Sequence, residues 1–372
     1  MNKILILSND SAYTYNFRKE LINKLLSNNF QVNIATNFTE KINELKNMNV
    51  KLFETHINRR GMNPFKDIKL FKFYSMLIKQ ICPDIVLSYT IKPNIYGGLA
   101  SRFNKVKFIP TVTGLGTAIE NKGILRLITI RMYKSAMKNA KAIMFQNENN
   151  MRFMEKAKVG KKPYMLLPGS GVNINDFDYL KYPDEEYLNF IFIGRVMRDK
   201  GIDYYLETAK TIKDNHPKAK FHVLGSYEED YKDILTDLEK QGYIKYHGKV
   251  DDIRDYLKIA SAIIHPTFHE GMSNVLLEAA SSGRPIIASN IPGCKETFED
   301  NVTGLSFIVK NQESLNETIE KFIKLPYEYK KQMGIAGRDK MVKEFSRENV
   351  VNKYIEVINK TLEEEKWVYM MI

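Results

Sequence analysis

The chain has 372 residues, of which 44% are hydrophobic, and carries a formal net charge of +12. This length is too great for one ordinary domain and fits two domains, each with its own core. Its two cysteines, Cys82 and Cys294, lie far apart and lack the spacing of a metal or redox motif, which indicates free thiols in a reducing compartment. The first apolar run is shorter than a signal peptide needs, and no run is long enough to span a bilayer, so we expect a cytoplasmic protein.

The charge is unevenly distributed along the chain. Residues 1–170 contain 28 Lys and Arg against 10 Asp and Glu, a net charge of +18, whereas residues 171–372 contain 28 against 34, a net charge of −6. A basic half beside a mildly acidic half indicates a polyanionic partner for the first half, either an anionic membrane surface or a nucleic acid.

Short apolar runs alternate with helix-length segments in the first half of the chain. This alternation predicts a parallel sheet with helices on both faces. The predicted strands are residues 3–7, 31–35, 50–53, 84–88, 107–112 and 141–145.

Turn residues at 168–173, followed by an acidic, proline-containing stretch at 181–186, predict a domain boundary. The same alternation then restarts, with predicted strands at 190–194, 220–224, 244–247, 262–265 and 285–289. We therefore predict an α/β protein with two doubly wound, Rossmann-like domains, 1–170 and 171–349, facing across a cleft. A final helix, at about 350–372, is expected to pack back on the first domain.

Residues 262–278 predict a buried strand, a loop and the start of a helix. Ser273 or Asn274 is a suitable N-cap, and the amides near Asn274 and Val275 would suit a diphosphate, because a helix N-terminus offers unpaired N–H groups and a positive dipole end. Glu270 lies in the loop, and Glu278, about a turn into the helix, could accept hydrogen bonds from sugar or ribose hydroxyls. The alternative is an ordinary capped helix with two surface glutamates.

A second motif, Gly194 to Gly201, follows a predicted strand and precedes a predicted helix. It places Arg195 and Lys200 at the mouth of the second sheet, where an arginine fork and a lysine charge could hold a diphosphate leaving group. The alternative is a solvated basic loop.

Other candidate motifs are better explained without a cofactor. Gly114 and Gly116 form a fragment of a dinucleotide fingerprint but lack its third glycine. His265 and His269 are separated by Pro266, so they cannot share a helix face as metal ligands. We expect neither a metal nor another cofactor.

The stretch 65–81 predicts a helix that is apolar on most sides. Its apolar stripe comprises Phe65, Ile68, Phe71, Tyr74, Ile78 and Ile81, and the interleaved lysines are Lys66, Lys69, Lys72 and Lys79. This pattern is typical of a helix that lies at a membrane interface. The alternative is a domain helix with one buried face and snorkelling lysines.

Taken together, these motifs resemble the retaining family-4 glycosyltransferases, which have the two-domain GT-B fold. The resemblance runs over nearly the whole chain and rests on several motifs in order. They are the linker at 168–173, the loop Gly194 to Gly201, the Glu-x7-Glu element Glu270 to Glu278, the strand 283–289 and the segment 293–304.

The resemblance implies transfer of a sugar from a nucleoside diphosphate with retention of anomeric configuration. By that resemblance, Arg195 and Lys200 hold the donor diphosphate and Glu270 lies against the donor hexose, which makes these three the candidate catalytic residues. Glu278 takes the ribose hydroxyls. The other implied donor-binding residues are Gly194, Val250, Gly271, Met272, Ser273, Asn274, Val275 and Leu276. GT-B relatives need no bound metal.

The first half resembles bacterial enzymes that build capsules, O-antigens or lipid-linked oligosaccharides. The residues that carry this likeness include Asn16, Arg18, Thr113 and Gly114, which we take as acceptor-site candidates. Relatives that extend lipid-linked glycans use a basic helix of the first domain to meet the acceptor diphosphate and the membrane, and the matching candidates here are Arg59, Arg60, Lys66, Lys69 and Lys72. Many family members carry a histidine after the fifth strand, where this chain has residues 111–114, Thr-Val-Thr-Gly.

The leading hypothesis is a peripheral glycosyltransferase on the inner face of the cell membrane. It would use a UDP-sugar and a polyprenyl-diphosphate-linked saccharide in surface polysaccharide assembly. One alternative is a GT-B sugar-nucleotide epimerase. A second alternative is a basic nucleic-acid-binding protein, although the chain shows no recognised nucleic-acid module and no row of aromatic stacking platforms, so we expect no nucleic-acid partner.

Overall fold

A computed structural model describes residues 1–57, 63–115, 123–161, 163–184, 186 and 188–370, with side chains as far as residue 363. The chain forms two compact units. Unit 1 consists of Met1–Ser170 and Glu348–Ile372, and unit 2 of Gly171–Arg347. Within the described part of the chain, no helix is both long and apolar enough to cross a bilayer.

Unit 1 is built on a sheet of seven parallel strands in the order β3-β2-β1-β4-β5-β6-β7. The strands are β1 (Lys3–Asp10), β2 (Gln31–Asn37), β3 (Lys51–Glu54), β4 (Ile85–Tyr89), β5 (Lys107–Val112), β6 (Ile143–Phe145) and β7 (Tyr164–Leu166). Central strands such as β4 are buried along their whole length, because helices cover both faces of the sheet.

The helices of unit 1 before the linker are α1 (Ser11–Ser27), α2 (Ile42–Lys46), α3 (Pro64–Ile81), α4 (Gly98–Phe103), α5 (Ile124–Ala136) and α6 (Glu148–Lys156), and a π-helical turn at Pro93–Gly97 leads into α4. Alternate residues of β1 face opposite cores, as the period of a strand requires. Ile4 and Ile6 pack in the core that contains α1, while Leu5 and Leu7 pack in the core that contains α3.

Unit 2 has six parallel strands in the order β10-β9-β8-β11-β12-β13. They are β8 (Leu188–Ile193), β9 (Ala219–Leu224), β10 (Lys245–Tyr246), β11 (Ala262–His265), β12 (Ile286–Ser289) and β13 (Gly304–Phe307). Numbered within the unit, this is the order 3-2-1-4-5-6 of the doubly wound dinucleotide-binding fold.

The helices of unit 2 are α7 (Ile202–Asn215), α8 (Lys232–Lys240), α9 (Arg254–Ile259), α10 (Asn274–Ser281), α11 (Gln312–Lys324) and α12 (Tyr327–Glu344), with a short 3-10 turn at Arg198–Lys200 before α7. Phe190 and Phe192 of β8 pack against one set of helices, and Ile191 and Ile193 against the other. Both faces of the sheet are therefore covered.

The last helix is α13 (Arg347–Met370), and from Glu348 onward it belongs to unit 1. Val350, Tyr354 and Ile358 are buried in the same core as Ile6 and α1. The hydroxyl of Tyr354 lies 2.6 Å from Oγ1 of Thr111 on β5. Unit 1 is therefore completed by a segment that follows unit 2 in the sequence.

Candidate active site

The candidate site lies at the topological switch point of the unit 2 sheet, where the strand order reverses between β8 and β11. These strands are neighbours, so the loops that leave their carboxyl ends lie at the same edge of the sheet, which is where open parallel sheets bind ligands. Arg195 and Lys200 follow β8, and Glu270 follows β11.

The backbone holds Lys200 beside the loop that follows β11. Gly201 has a φ of +71°, and a Cβ at this position would lie 2.0 Å from the carbonyl oxygen of Pro266. In addition, the amide of Phe268 donates to the carbonyl of Asp199 at 3.0 Å. Because a side chain is disfavoured in this left-handed conformation and its Cβ would collide with the facing carbonyl, glycine at position 201 lets the two loops lie in contact.

The Glu270 carboxylate, which is 16% exposed, accepts hydrogen bonds from the ammonium of Lys200 and, at 3.1 Å, from Nε2 of His265. Burial by itself raises the pKa of a carboxyl group. Here the Lys200 charge and the His265 hydrogen bond outweigh burial and lower the pKa of Glu270 to about 2. Glu270 is therefore an ionised hydrogen-bond acceptor at neutral pH.

Helix α10 begins at the site with unpaired amides. Ser273 is the N-cap residue but makes no side-chain cap, and its Oγ lies 3.1 Å from Nε2 of His265 instead. Among the described residues, no acceptor pairs with the amides of Asn274, Val275 and Leu276. Such amides, together with the helix dipole, attract an anion such as a phosphate.

The segment after β12 supports the Glu270 loop from behind. The amide of Ser273 donates to the carbonyl of Gly293 at 2.9 Å. Gly293 has a φ of +86°, and a Cβ there would lie 2.7 Å from the carbonyl oxygen of Glu270. Between these two contacts lie Gly271, which is half-buried, and Met272, which is buried. The loop is thus fixed at both ends of its Gly-Met turn.

Glu278 lies in the second turn of α10 and is half-buried. Burial raises the pKa of Glu278 to about 7, although the positive charge of Arg347 opposes the shift. Its carboxylate makes no hydrogen bond to any part of the chain that the structure describes. The two glutamates therefore differ: Glu270 is firmly ionised, whereas Glu278 titrates near neutral pH.

Arg195 has a different partner from Lys200. Its guanidinium lies 3.7 Å from the carboxylate of Glu228, in the loop after β9, and its side chain is 41% exposed. The preceding residue, Gly194, packs closely against Gly225, where a Cβ would lie 1.7 Å from the Gly194 carbonyl oxygen. Val250 is half-buried on the same cluster as Val275 of α10. The structure thus joins Lys200 to Glu270 and leaves Arg195 paired with Glu228.

Sequence reasoning missed His265 and Arg347. It considered His265 only as a metal ligand, whereas the structure buries this side chain between Glu270 and Ser273. One signal in the sequence could have identified His265: it is a polar residue at the end of a predicted buried strand, directly before the loop that contains Glu270. Arg347 is 69 positions from Glu278, and nothing in the local pattern links the two.

In unit 1, Arg18 points into the unit. It is 2% exposed, donates to the carbonyl of Phe17 at 2.8 Å and to the hydroxyl of Tyr13 at 3.2 Å, and lies 4.2 Å from the centroid of the Tyr89 ring. Asn16, by contrast, is exposed. The two acceptor-site candidates on α1 therefore do not share a surface.

The remaining acceptor-site candidates lie in loops or on α3. Thr113 and Gly114 are half-buried, and the position of a Gly114 Cβ meets open space. The three lysines predicted on α3 are exposed: Lys66, Lys69 and Lys72. Arg59 and Arg60 lie outside the described residues.

The apolar stripe predicted on α3 does not form one surface, which corrects the sequence interpretation. Tyr74, Ile78 and Ile81 are buried in the unit 1 core, because this part of the helix covers the sheet. Phe65 and Ile68, near the start of the helix, are 78% and 52% exposed. The helix therefore combines a core half with an exposed apolar and basic half.

No group of three or more histidines, cysteines or carboxylates placed to hold a metal ion occurs in the described ranges.

Comparison with known proteins matches both units to glycosyltransferases. Residues 3–147 match the family described as glycosyl transferase 4-like, and residues 176–340 match glycosyl transferases group 1. A glycosyltransferase structure from Rickettsia africae aligns with a TM-score of 0.80 at 20% identity, over 97% of this chain and 99% of that one. The two family models together cover most of the chain, which is therefore a glycosyltransferase with both of these domains and the GT-B fold.

Two curated relatives are similar along most of their length. The N,N'-diacetylbacillosaminyl-diphospho-undecaprenol alpha-1,3-N-acetylgalactosaminyltransferase of Campylobacter jejuni is 26% identical over 334 residues, which cover 85% of this chain and 88% of the relative. The UDP-Gal:alpha-D-GlcNAc-diphosphoundecaprenol alpha-1,3-galactosyltransferase of Escherichia coli is 28% identical over 282 residues, which cover 71% and 72%.

Proposed function

We propose that this glycosyltransferase moves a sugar from a UDP-sugar, with retention of anomeric configuration, to a saccharide carried on polyprenyl diphosphate during surface polysaccharide assembly. The names of the relatives support both substrates. One names a UDP-sugar donor, and both name a diphosphoundecaprenol-linked saccharide. The resemblance of the sequence motifs to capsule and lipid-linked glycan enzymes supports the same assignment.

The proposal rests on one observation: a cation, the unpaired amides of a helix N-terminus and an ionised carboxylate lie together at the switch point of the unit 2 sheet. Lys200 and the amides at the start of α10 would hold the donor diphosphate, with Arg195 contributing from the same loop. Glu270 would accept hydrogen bonds from the hydroxyls of the transferred sugar, and Glu278 from those of the ribose.

In the proposed reaction, the bond between the anomeric carbon and the phosphate oxygen breaks, and the acceptor hydroxyl forms its bond on the same face of the sugar. The acceptor proton passes to the departing phosphate oxygen, so no protein base is required. Lys200 and the helix amides stabilise the charge that develops on the diphosphate, a preorganised contribution of roughly 3 kcal/mol for each good donor. We propose that no metal takes part.

The acceptor would approach unit 1 from an anionic membrane surface on the inner face of the cell membrane. The exposed half of α3 presents Phe65 and Ile68 beside exposed lysines. The start of α5 adds Ile124 and Leu127, which are 77% and 60% exposed. Exposed apolar side chains interleaved with cations suit the headgroup region of a bilayer.

The test uses the purified protein in successive steps, with an incubation of the donor without acceptor as a control. UDP-sugars are first screened by thermal shift, because a ligand that binds the folded state raises its stability. A stabilising donor is then incubated with a polyprenyl-diphosphate-linked saccharide, with and without EDTA, and the product's anomeric configuration is read by NMR. We expect an elongated glycan with retained configuration in both cases. An isomerised donor formed without acceptor would replace the proposal with an epimerase, and inversion or loss of activity in EDTA would overturn its mechanism.

A further inference from the structure

His265 connects the two parts of the candidate site. It is the last residue of β11 and is 3% exposed. Its Nε2 lies 3.1 Å from Oε1 of Glu270 and 3.1 Å from Oγ of Ser273. Its Nδ1 is buried and has no hydrogen-bond partner in the described part of the chain. One ring nitrogen therefore makes both contacts.

This arrangement decides which nitrogen carries hydrogen in the neutral ring. Hydrogen on Nδ1 would leave a buried donor unpaired, at a cost of about 1–3 kcal/mol, and would turn the Nε2 lone pair toward the Glu270 carboxylate. Hydrogen on Nε2 lets the ring donate to Glu270 instead. A doubly protonated ring would again place an unpaired N–H at Nδ1. The geometry therefore favours the Nε2–H tautomer.

The tautomer also fixes the role of the Ser273 hydroxyl. With hydrogen on Nε2, the single N–H is shared between Glu270 and Ser273, and the Ser273 oxygen can only accept from it, so the Ser273 O–H is left to donate elsewhere. Ser273 does not cap its helix, and no acceptor for its hydroxyl lies among the residues that the structure describes. The unpaired amides of Asn274 and Val275 follow directly in the sequence. The hydroxyl hydrogen is thus available to a ligand held by those amides.

We propose that His265 is a positioning residue that holds Glu270 in place and directs the Ser273 hydroxyl to donate to a phosphate oxygen of the donor diphosphate. This inference rests on the proposed function. It also explains how Glu270 stays in place when Lys200, its other partner, turns toward a bound diphosphate: the hydrogen bond from His265 remains.

The first test measures UDP affinity by calorimetry in wild type, Ser273→Ala and the control Ser281→Ala. Ser281 lies in the same helix, but its hydroxyl donates to the Phe177 carbonyl. We expect Ser273→Ala to weaken UDP binding at least about tenfold, as for loss of a hydrogen bond to a charged group, and Ser281→Ala to bind like wild type. Wild type that does not bind UDP would refute the proposed donor. Wild type that binds UDP no more tightly than Ser273→Ala would refute this inference alone.

The second test examines His265 itself. A double-mutant cycle compares the Ser273→Ala effect on UDP affinity in the wild-type, His265→Phe and His265→Gln backgrounds. We expect the effect to shrink at least about threefold with Phe, which cannot orient the hydroxyl, and to return with Gln, which keeps an N–H donor. A purely structural role would leave the Ser273→Ala effect unchanged in both backgrounds.

The tautomer can be read directly in the wild-type protein, which covers the case in which the His265 variants do not fold. Nitrogen-15 NMR of the imidazole rings should show a protonated Nε2 and a bare Nδ1 for His265. A ring that carries hydrogen on Nδ1 would overturn the assignment.

Discussion

Glu278 gives the sharpest prediction, because its charge changes near neutral pH. If the ribose hydroxyls donate to this carboxylate, only the ionised form binds the donor well. With a pKa of about 7, the ionised fraction rises from roughly a tenth at pH 6 to roughly nine tenths at pH 8. The affinity for a UDP-sugar should therefore rise about tenfold over this range, which corresponds to about 1.4 kcal/mol.

The assay is calorimetric titration, between pH 6 and pH 8, with the UDP-sugar that stabilises the protein in the thermal-shift screen. A UDP-sugar is preferable to UDP because its phosphates are both diesters and do not titrate in this range. At pH 7, wild type should release about half a proton on binding, measured from the dependence of the heat on buffer ionisation enthalpy, since Glu278 starts about half protonated. Glu278→Gln should bind more weakly, with an affinity that does not change with pH.

Glu270→Gln provides the matched control. The pKa of Glu270 is about 2, so its replacement removes no group that titrates between pH 6 and pH 8, and the tenfold rise should persist. Wild-type affinity that stays flat over this range, or that is higher at pH 6, would refute the assignment of Glu278 as an ionised acceptor of ribose hydroxyls.

Glu270→Gln should lower the transfer rate at least about a hundredfold while UDP affinity, measured by calorimetry, stays within about threefold; full turnover would exclude contact with the sugar. Gly201→Ala should lower the free energy of unfolding in urea by about 1–3 kcal/mol, because the backbone at Gly201 is left-handed and faces the Pro266 carbonyl. Gly114→Ala is the control: its Cβ would meet open space, so the free energy of unfolding should change by no more than about 0.5 kcal/mol. Equal losses in the two variants would contradict the close packing of Gly201. Replacing Lys66, Lys69 and Lys72 of α3 by glutamine should weaken binding to anionic vesicles by about 1 kcal/mol per charge, measured by sedimentation, while hydrolysis of the donor continues. Unchanged binding to the vesicles would show that these lysines do not contact the membrane.

Most strands of the two sheets could be predicted from the sequence, because buried parallel strands are apolar along their whole length. Two strands were missed. Strand β7, Tyr164–Leu166, has only three residues at a sheet edge, and β13 begins at Gly304, a residue type that sequence patterns associate with turns. The close packing of Gly304 against the Ile286 carbonyl, where a Cβ would lie 2.4 Å away, explains why glycine is suited to this position. Such contacts between distant segments leave no local pattern.

The site shows the same division between local and distant information. The placement of Lys200 and Glu270 at the ends of neighbouring strands follows from the order of predicted elements. Their ion pair joins residues 70 positions apart, and the charge of Lys200 lowers the pKa of Glu270, whereas burial raises that of Glu278. The burial of Arg18 was equally invisible, since arginine is typical of surfaces.

The completion of unit 1 by α13 has a consequence for the order in which the chain folds during synthesis. All of unit 2 leaves the ribosome before Val350, Tyr354 and Ile358 do, so the sheet face that these residues cover stays open while unit 2 is made. At about 5–20 residues per second, the interval from residue 170 to residue 358 lasts roughly 10–40 s. Unit 2 can therefore fold before unit 1 is complete, and unit 1 exposes part of its apolar core during that time. A chain truncated at residue 170 should expose the same surface permanently and aggregate.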